Sequence, residues 1–150
     1  MKRVFLLIGL ITFSFSSCDK DFYTPIPYAP VYLNIDLDFL DSDLIPMFAT
    51  KVFTQKRNKI DRLGYGGILV INGISQMGTN LYAYDLTCPV EVDKSIKIIP
   101  DEAGNAICPK CNEEYIIRNG GGIPTKGISK HPLRSYAVSN KGGNRFLISN

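Results

Sequence analysis

One histidine, His131, occurs in the whole 150-residue chain. No base stands beside a nucleophile in a pattern that would make the chain an enzyme by itself. No long block of like charge occurs either. Seventeen basic and fourteen acidic residues leave a formal charge of +3, with no clustered basic face to suggest nucleic acid. The longest apolar run near the start, Val4 to Phe13, falls short of the roughly 20 residues a spanning helix needs. No convincing amphipathic helix follows it. Gly120-Gly121-Gly122 is not followed by a helix or a Lys-Ser/Thr pair, so it reads as a turn and not as a phosphate cradle. Cysteine is sparse and unevenly placed. Cys18 stands alone, whereas Cys88, Cys108 and Cys111 sit in two loop-like stretches, "LTCPVEV" and "ICPKCNEEY".

The opening "MKRVFLLIGLITFSFSSCDKD" has two basic residues, a short apolar run, and small residues ahead of a cysteine. That order reads as an export signal. Its Ser16-Ser17-Cys18 end resembles the lipobox of bacterial lipoproteins, in which the leader is cut before a cysteine that then carries lipid. The resemblance implies a leader over 1–17 and a lipidated Cys18. The product is exported and held by lipid to the cell envelope, on its periplasmic or surface side. Losing Lys2 and Arg3 lowers the formal charge from +3 to +1. Pro25, Pro27 and Pro30 favour extended backbone and forbid a regular helix, so 18–30 reads as a lipid-bearing tether.

From Val31 the hydrophobic period is two. Val31, Leu33, Ile35 and Leu37 alternate with Tyr32, Asn34 and Asp36, the mark of a half-buried strand. "ILVI", "LYAYDL", "SIKII", "AI", "YIIR", "LRSYAV" and "RFLIS" read as further short strands. "TQKRNKIDR" reads as a solvated strand or loop, "DFLDSDLIPMF" has no clear pattern, and "NGGGIPTKG" reads as a long loop. Many short strands at close spacing predict one all-β domain over 31–150, an antiparallel sandwich or barrel.

Cys88-Pro89-Val90, then seventeen residues from Glu91 to Ile107, then Cys108-Pro109-Lys110-Cys111 resembles the Rieske iron–sulfur family. Its motif is C-x-H followed at similar distance by C-x-x-H, on two loops at one tip of a small β domain. "LYAYDLTCP" is similar to the strand entering the first loop, and Tyr115 stands where an aromatic follows the second. "NGGGIPTKGISKHPLRSYAV" is similar to the glycine turn, the proline loop over the cluster and the strand after it. The whole also resembles the Rieske-like lipoproteins of Bacteroidetes. The resemblance implies a [2Fe–2S] electron-transfer domain, which serves an oxidoreductase system only as a component. In that family two cysteines hold one iron and two histidines the other. Carried over residue by residue, Cys88 and Cys108 match the cysteines, but Val90 and Cys111 replace the histidines.

Four readings of the degenerate set stay open. A [2Fe–2S] cluster takes Cys88, Cys108, Cys111 and a borrowed fourth ligand, for which His131 is the candidate. Zn²⁺ takes the same Cys₃His set. A metal-free structural or interaction module, with an unknown protein partner, carries a disulfide; family geometry prefers Cys88–Cys108 and leaves Cys88–Cys111 as the other pairing. Thiol redox chemistry at Cys108 and Cys111 lacks the strand-to-helix setting it needs. The anchor is tested directly: the mature protein is expected to begin at lipid-bearing Cys18 and to enter the detergent phase on Triton partitioning. A mature first residue beyond Cys18 contradicts the leader reading.

Overall fold

The alternation predicted from Val31 is realised as strand β1, Val31–Asp36, with Val31, Leu33 and Ile35 buried and Tyr32 and Asn34 exposed. The computed structural model describes residues 24–74 and 80–150; the leader 1–17 and Cys18 lie outside them. After β1 come a single 3-10 turn at Ser42–Leu44 and strands β2 (Thr50–Phe53), β3 (Arg62–Leu63), β4 (Ile68–Asn72) and β5 (Leu81–Asp85). The second half holds β6 (Ile99–Pro100), β7 (Asn105–Ile107), β8 (Glu114–Ile116), β9 (Ile123–Lys126), β10 (Ser135–Asn140) and β11 (Arg145–Ser149). The paired strands run antiparallel, so the all-β expectation holds.

Two sheets form. Seven strands run in the order β2-β4-β5-β10-β11-β1-β3, and a smaller sheet runs β6-β7-β8-β9. β4 is buried at every position, as a strand with protein on both faces must be. Ile68 and Val70 face a core with Leu33, Ile35, Leu81 and Phe146. Leu69 and Ile71 face a second core with Tyr84, Leu86, Tyr115 and Ile117. β5 obeys the same period: Leu81 and Ala83 join the first core and Tyr84 the second. Leu86 and Cys88 continue on the second side, so the strand alternation carries the cysteine into the apolar space beneath the small sheet.

Asp85, on the opposite face, is wholly buried yet fully engaged. Its carboxylate accepts the Tyr136 hydroxyl at 2.6 Å and the backbone N–H groups of Tyr65 at 2.9 Å, Gly66 at 3.1 Å and Thr87 at 2.8 Å. Burial, then the Asp85 charge, pushes the Tyr136 phenol up, so it stays a donor. A second buried carboxylate, Asp41, accepts Lys51 at 3.0 Å and Arg57 at 2.9 Å, and this ties the polar 51–57 stretch to the end of β1.

Residues 50–53 form β2, a strand the sequence did not suggest, with Val52 exposed and Lys51 beside buried Phe53. Two local readings are corrected. The glycine-rich stretch contains β9, with Pro124 opposite Tyr115 at a bulge. "SIKII" contributes only β6 and an isolated bridge from Lys97 to Thr87. β6 and β9 are the outer strands of the small sheet, and each contains a proline, Pro100 and Pro124. The described end of the predicted tether lies against the domain. Ile26 is buried, Arg134 donates to its carbonyl at 2.8 Å, and Asn150 donates to that of Ala29 at 2.8 Å.

Asp85→Ala strips the acceptor from a phenol and three amides at once. It is expected to destabilise the fold by about 3 kcal/mol, since each buried donor left unpaired costs roughly 1–3 kcal/mol. Urea unfolding checks this; a change under about 1 kcal/mol would mean that water replaces the carboxylate.

Candidate metal centre

Strand β5 ends at Asp85, and Thr87 N–H and Gly66 N–H hold the following bend on its carboxylate. Cys88 then opens a tight turn, closed by the Val92 N–H donating to the Cys88 carbonyl at 2.9 Å. The second loop is the connection between β7 and β8. Cys108 N–H donates to the Glu113 carbonyl at 2.9 Å, and Asn112 N–H donates to the Cys108 carbonyl at 3.0 Å. Pairing of β7 with β8 places the base of this loop, and burial of Ala106 and Tyr115 seats it on the second core.

The two loops bring the three cysteines together. Their sulfurs all lie within 4.8 Å of one another, and Cys88 Sγ is 3.6 Å from Cys111 Sγ. Cys88 and Cys108 are wholly buried; Cys111 is half-buried and reaches the surface. All three are thiols in this structure. A disulfide needs about 2.05 Å between sulfurs, so the expected Cys88–Cys108 link is not formed, and neither is Cys88–Cys111. His131 does not join the group of sulfurs, although it lies in the chain segment beside it. Its backbone N–H donates to Ser129 Oγ at 3.2 Å, and Ser129 Oγ donates to its carbonyl at 2.8 Å. Thus three of the four residues read as ligands share one site, and His131 is not in that group. Val90 packs as an apolar side chain against the same core.

The loop over the site is fixed by a residue that sequence reasoning missed. Glu113 is buried, and its Oε2 accepts the N–H groups of Ile128 at 2.8 Å and Ser129 at 3.0 Å. Gly127 has φ +116°, and a Cβ there would sit 2.2 Å from Glu113 Oε2, so only glycine lets the chain pass. A carboxylate next but one to a cysteine is the only hint of this in the sequence. Tyr115 was visible as an aromatic; its hydroxyl lies 3.6 Å from Cys88 Sγ. Burial, against the Ser129 hydrogen bond and with Cys88 nearby, pushes its phenol up, so it keeps a proton to offer to sulfur.

The thiols differ in acidity. Burial works against ionising Cys108, but the N–H groups of Cys111 and Lys110, with the other two thiols, outweigh it and lower its pKa. Burial pushes Cys111 up to about 12, opposed by the Glu113 N–H and reinforced by Cys108 and Cys88. The first negative charge therefore settles on Cys108 and is shared by hydrogen bonds from its neighbours. Lys110 stands beside it, its ammonium 2.5 Å from Glu91 Oε2, and this pairing raises the lysine pKa. Three soft donors in an apolar pocket with N–H support are suited to a thiophilic cation.

No protein-family model and no curated protein matches the chain. Among solved structures it is similar to the ferredoxin of carbazole 1,9a-dioxygenase from Nocardioides aromaticivorans IC177. The two are 19% identical over 79% of this chain and 95% of that one, with a TM-score of 0.46.

The acidity order predicts a pH response in reduced, metal-free protein. As pH rises, ultraviolet thiolate absorbance should first appear at a lower pH than for an unperturbed thiol, and Cys108→Ser should abolish that early step. A first step that survives in Cys108→Ser would place the charge on another sulfur.

Proposed function

We propose that this chain is an envelope lipoprotein carrying a Rieske-type domain that has exchanged paired imidazoles for thiolates and holds a metal centre. It acts as an electron-transfer-derived module and not as an enzyme by itself. The observation that carries this reading is the convergence of Cys88, Cys108 and Cys111 within 4.8 Å, from two loops far apart in sequence. The standard Rieske cluster does not fit these residues. One of its irons needs two imidazoles, whereas Val90 has no lone pair, Cys111 replaces the second histidine, and His131 stands outside the sulfur group. The anchor belongs to the same reading, with Cys18 as the lipid-bearing residue and the membrane as partner.

A second reading is favoured by the 3.6 Å contact between Cys88 and Cys111. Thiols this close in an oxidising compartment tend to pair when no metal holds them. A bond from Cys88 to the second loop would close about 20 residues and stabilise the fold by roughly 3 kcal/mol in the chain-entropy model. The experiment is metal and acid-labile sulfide analysis of full-length protein, made with iron–sulfur assembly intact, beside Cys88→Ser. Bound metal, lost in Cys88→Ser, is the expected result. Metal-free protein with one disulfide on non-reducing peptide mapping would replace the metal reading with the second one.

A further inference from the structure

We infer that the three sulfurs are spaced for one tetrahedral thiophilic ion, with Zn²⁺ as its representative, and that Glu91 is the fourth donor. This rests on the reading that the loops bind metal at all, and it names what they bind. Zn–S bonds of about 2.3 Å set ligand sulfurs roughly 3.8 Å apart around a tetrahedral ion. Cys88 and Cys111 stand at 3.6 Å, and all three sulfurs lie within 4.8 Å. Ligands on the two irons of a [2Fe–2S] cluster are held further apart, because a second metal and its bridging sulfides lie between them. Cys111, which by resemblance would serve the second iron, is instead in contact with Cys88, a ligand of the first.

The fourth donor follows from a repetition between the loops. Each begins Cys-Pro, at Cys88-Pro89 and at Cys108-Pro109. In each, the fifth residue donates its N–H to the cysteine carbonyl, Val92 to Cys88 at 2.9 Å and Asn112 to Cys108 at 3.0 Å. In each, that fifth residue is left-handed, with φ 51° at Val92 and 58° at Asn112. A β-branched valine seldom adopts that conformation, so the turn imposes it. Among the described residues Phe48 is the one other non-glycine with positive φ. The loops are therefore one turn used twice. The second turn presents its first and fourth residues as thiols, Cys108 and Cys111. The same places in the first turn are Cys88 and Glu91.

Carboxylate oxygen is an established zinc donor. The Glu91 side chain is only 14% exposed and already crosses to the other turn, where it pairs with Lys110. It stands outside the sulfur group in this structure. Binding moves the carboxylate from the lysine ammonium to the cation. Zn²⁺ replaces the three thiol protons, which pass to solvent, and no oxidation state changes. Val90, the third residue of the first turn, is packed on the core and offers no donor.

The test is titration of reduced full-length protein with Zn²⁺ and with Co²⁺, followed by absorbance. One ion per chain, no acid-labile sulfide, and intense tetrahedral Co²⁺ bands with thiolate charge transfer are expected. Glu91→Gln should weaken Co²⁺ binding about tenfold or more and shift those bands, the scale on which metal sites respond to lost support. Glu91→Cys should tighten binding and add a further increment of thiolate charge transfer. Lys110→Ala should bind as tightly or more so, since the ammonium no longer competes; weaker binding would make the Glu91–Lys110 pair structural and overturn the assignment. An unchanged Glu91→Gln spectrum and affinity would overturn it as well. Two irons with two sulfides per chain would overturn the single ion while leaving the metal site intact. A chain that takes up no metal under any of these conditions fails the reading beneath it.

Discussion

The pairing of β4 with β5 is the constraint on which the rest of the molecule depends. These strands form a wall with a core on either side, and every β4 side chain is buried. Period two then leaves little freedom. A slip of one residue would move Ile68 and Val70 into the wrong core and would turn Cys88 away from the other two cysteines. The register Val70 with Ala83 and Ile68 with Asp85 therefore fixes the site as well as the fold.

Two buried carboxylates flank that wall and serve as anchors for backbone. Asp85 gathers the amides of the 64–67 bend and the residue before Cys88, from beneath. Glu113 gathers the amides of the covering loop from above. Both are acceptors for N–H groups that no strand partner reaches, which is the accounting such irregular segments need. The bend before Cys88 is tied to the first, and the second belongs to the Cys108–Cys111 loop itself, so both thiol-bearing turns are joined to buried anchors.

Much of this was legible in the sequence. Strict alternation revealed β1, and the resemblance of the cysteine-bearing stretches to a known family implied that two loops share a tip. β2 was hidden because Val52 is exposed on one face, while on the other Lys51, tied to Asp41, stands beside buried Phe53, so no apolar period is visible. β9 was hidden because Gly120, Gly121, Gly122 and Pro124 signal a loop, while an outer strand can still accept a proline. Within the site, the cysteines were visible and the supporting geometry was not. Left-handed Val92 and Asn112 arise from the closed turns, and nothing in a valine announces that conformation. His131 was suggested by residue type alone, and the group of sulfurs does not include it.

The prolines in β6 and β9 have a consequence for how this molecule meets others. Each rim of the small sheet lacks one amide hydrogen, and β6 has only two residues. A peptide seeking to join the sheet as a fifth strand would find its ladder interrupted on either side. The rims of the small sheet are thereby blunted against backbone annealing, whether by another protein or by another copy of the chain. Recognition there has to run through side chains and shape.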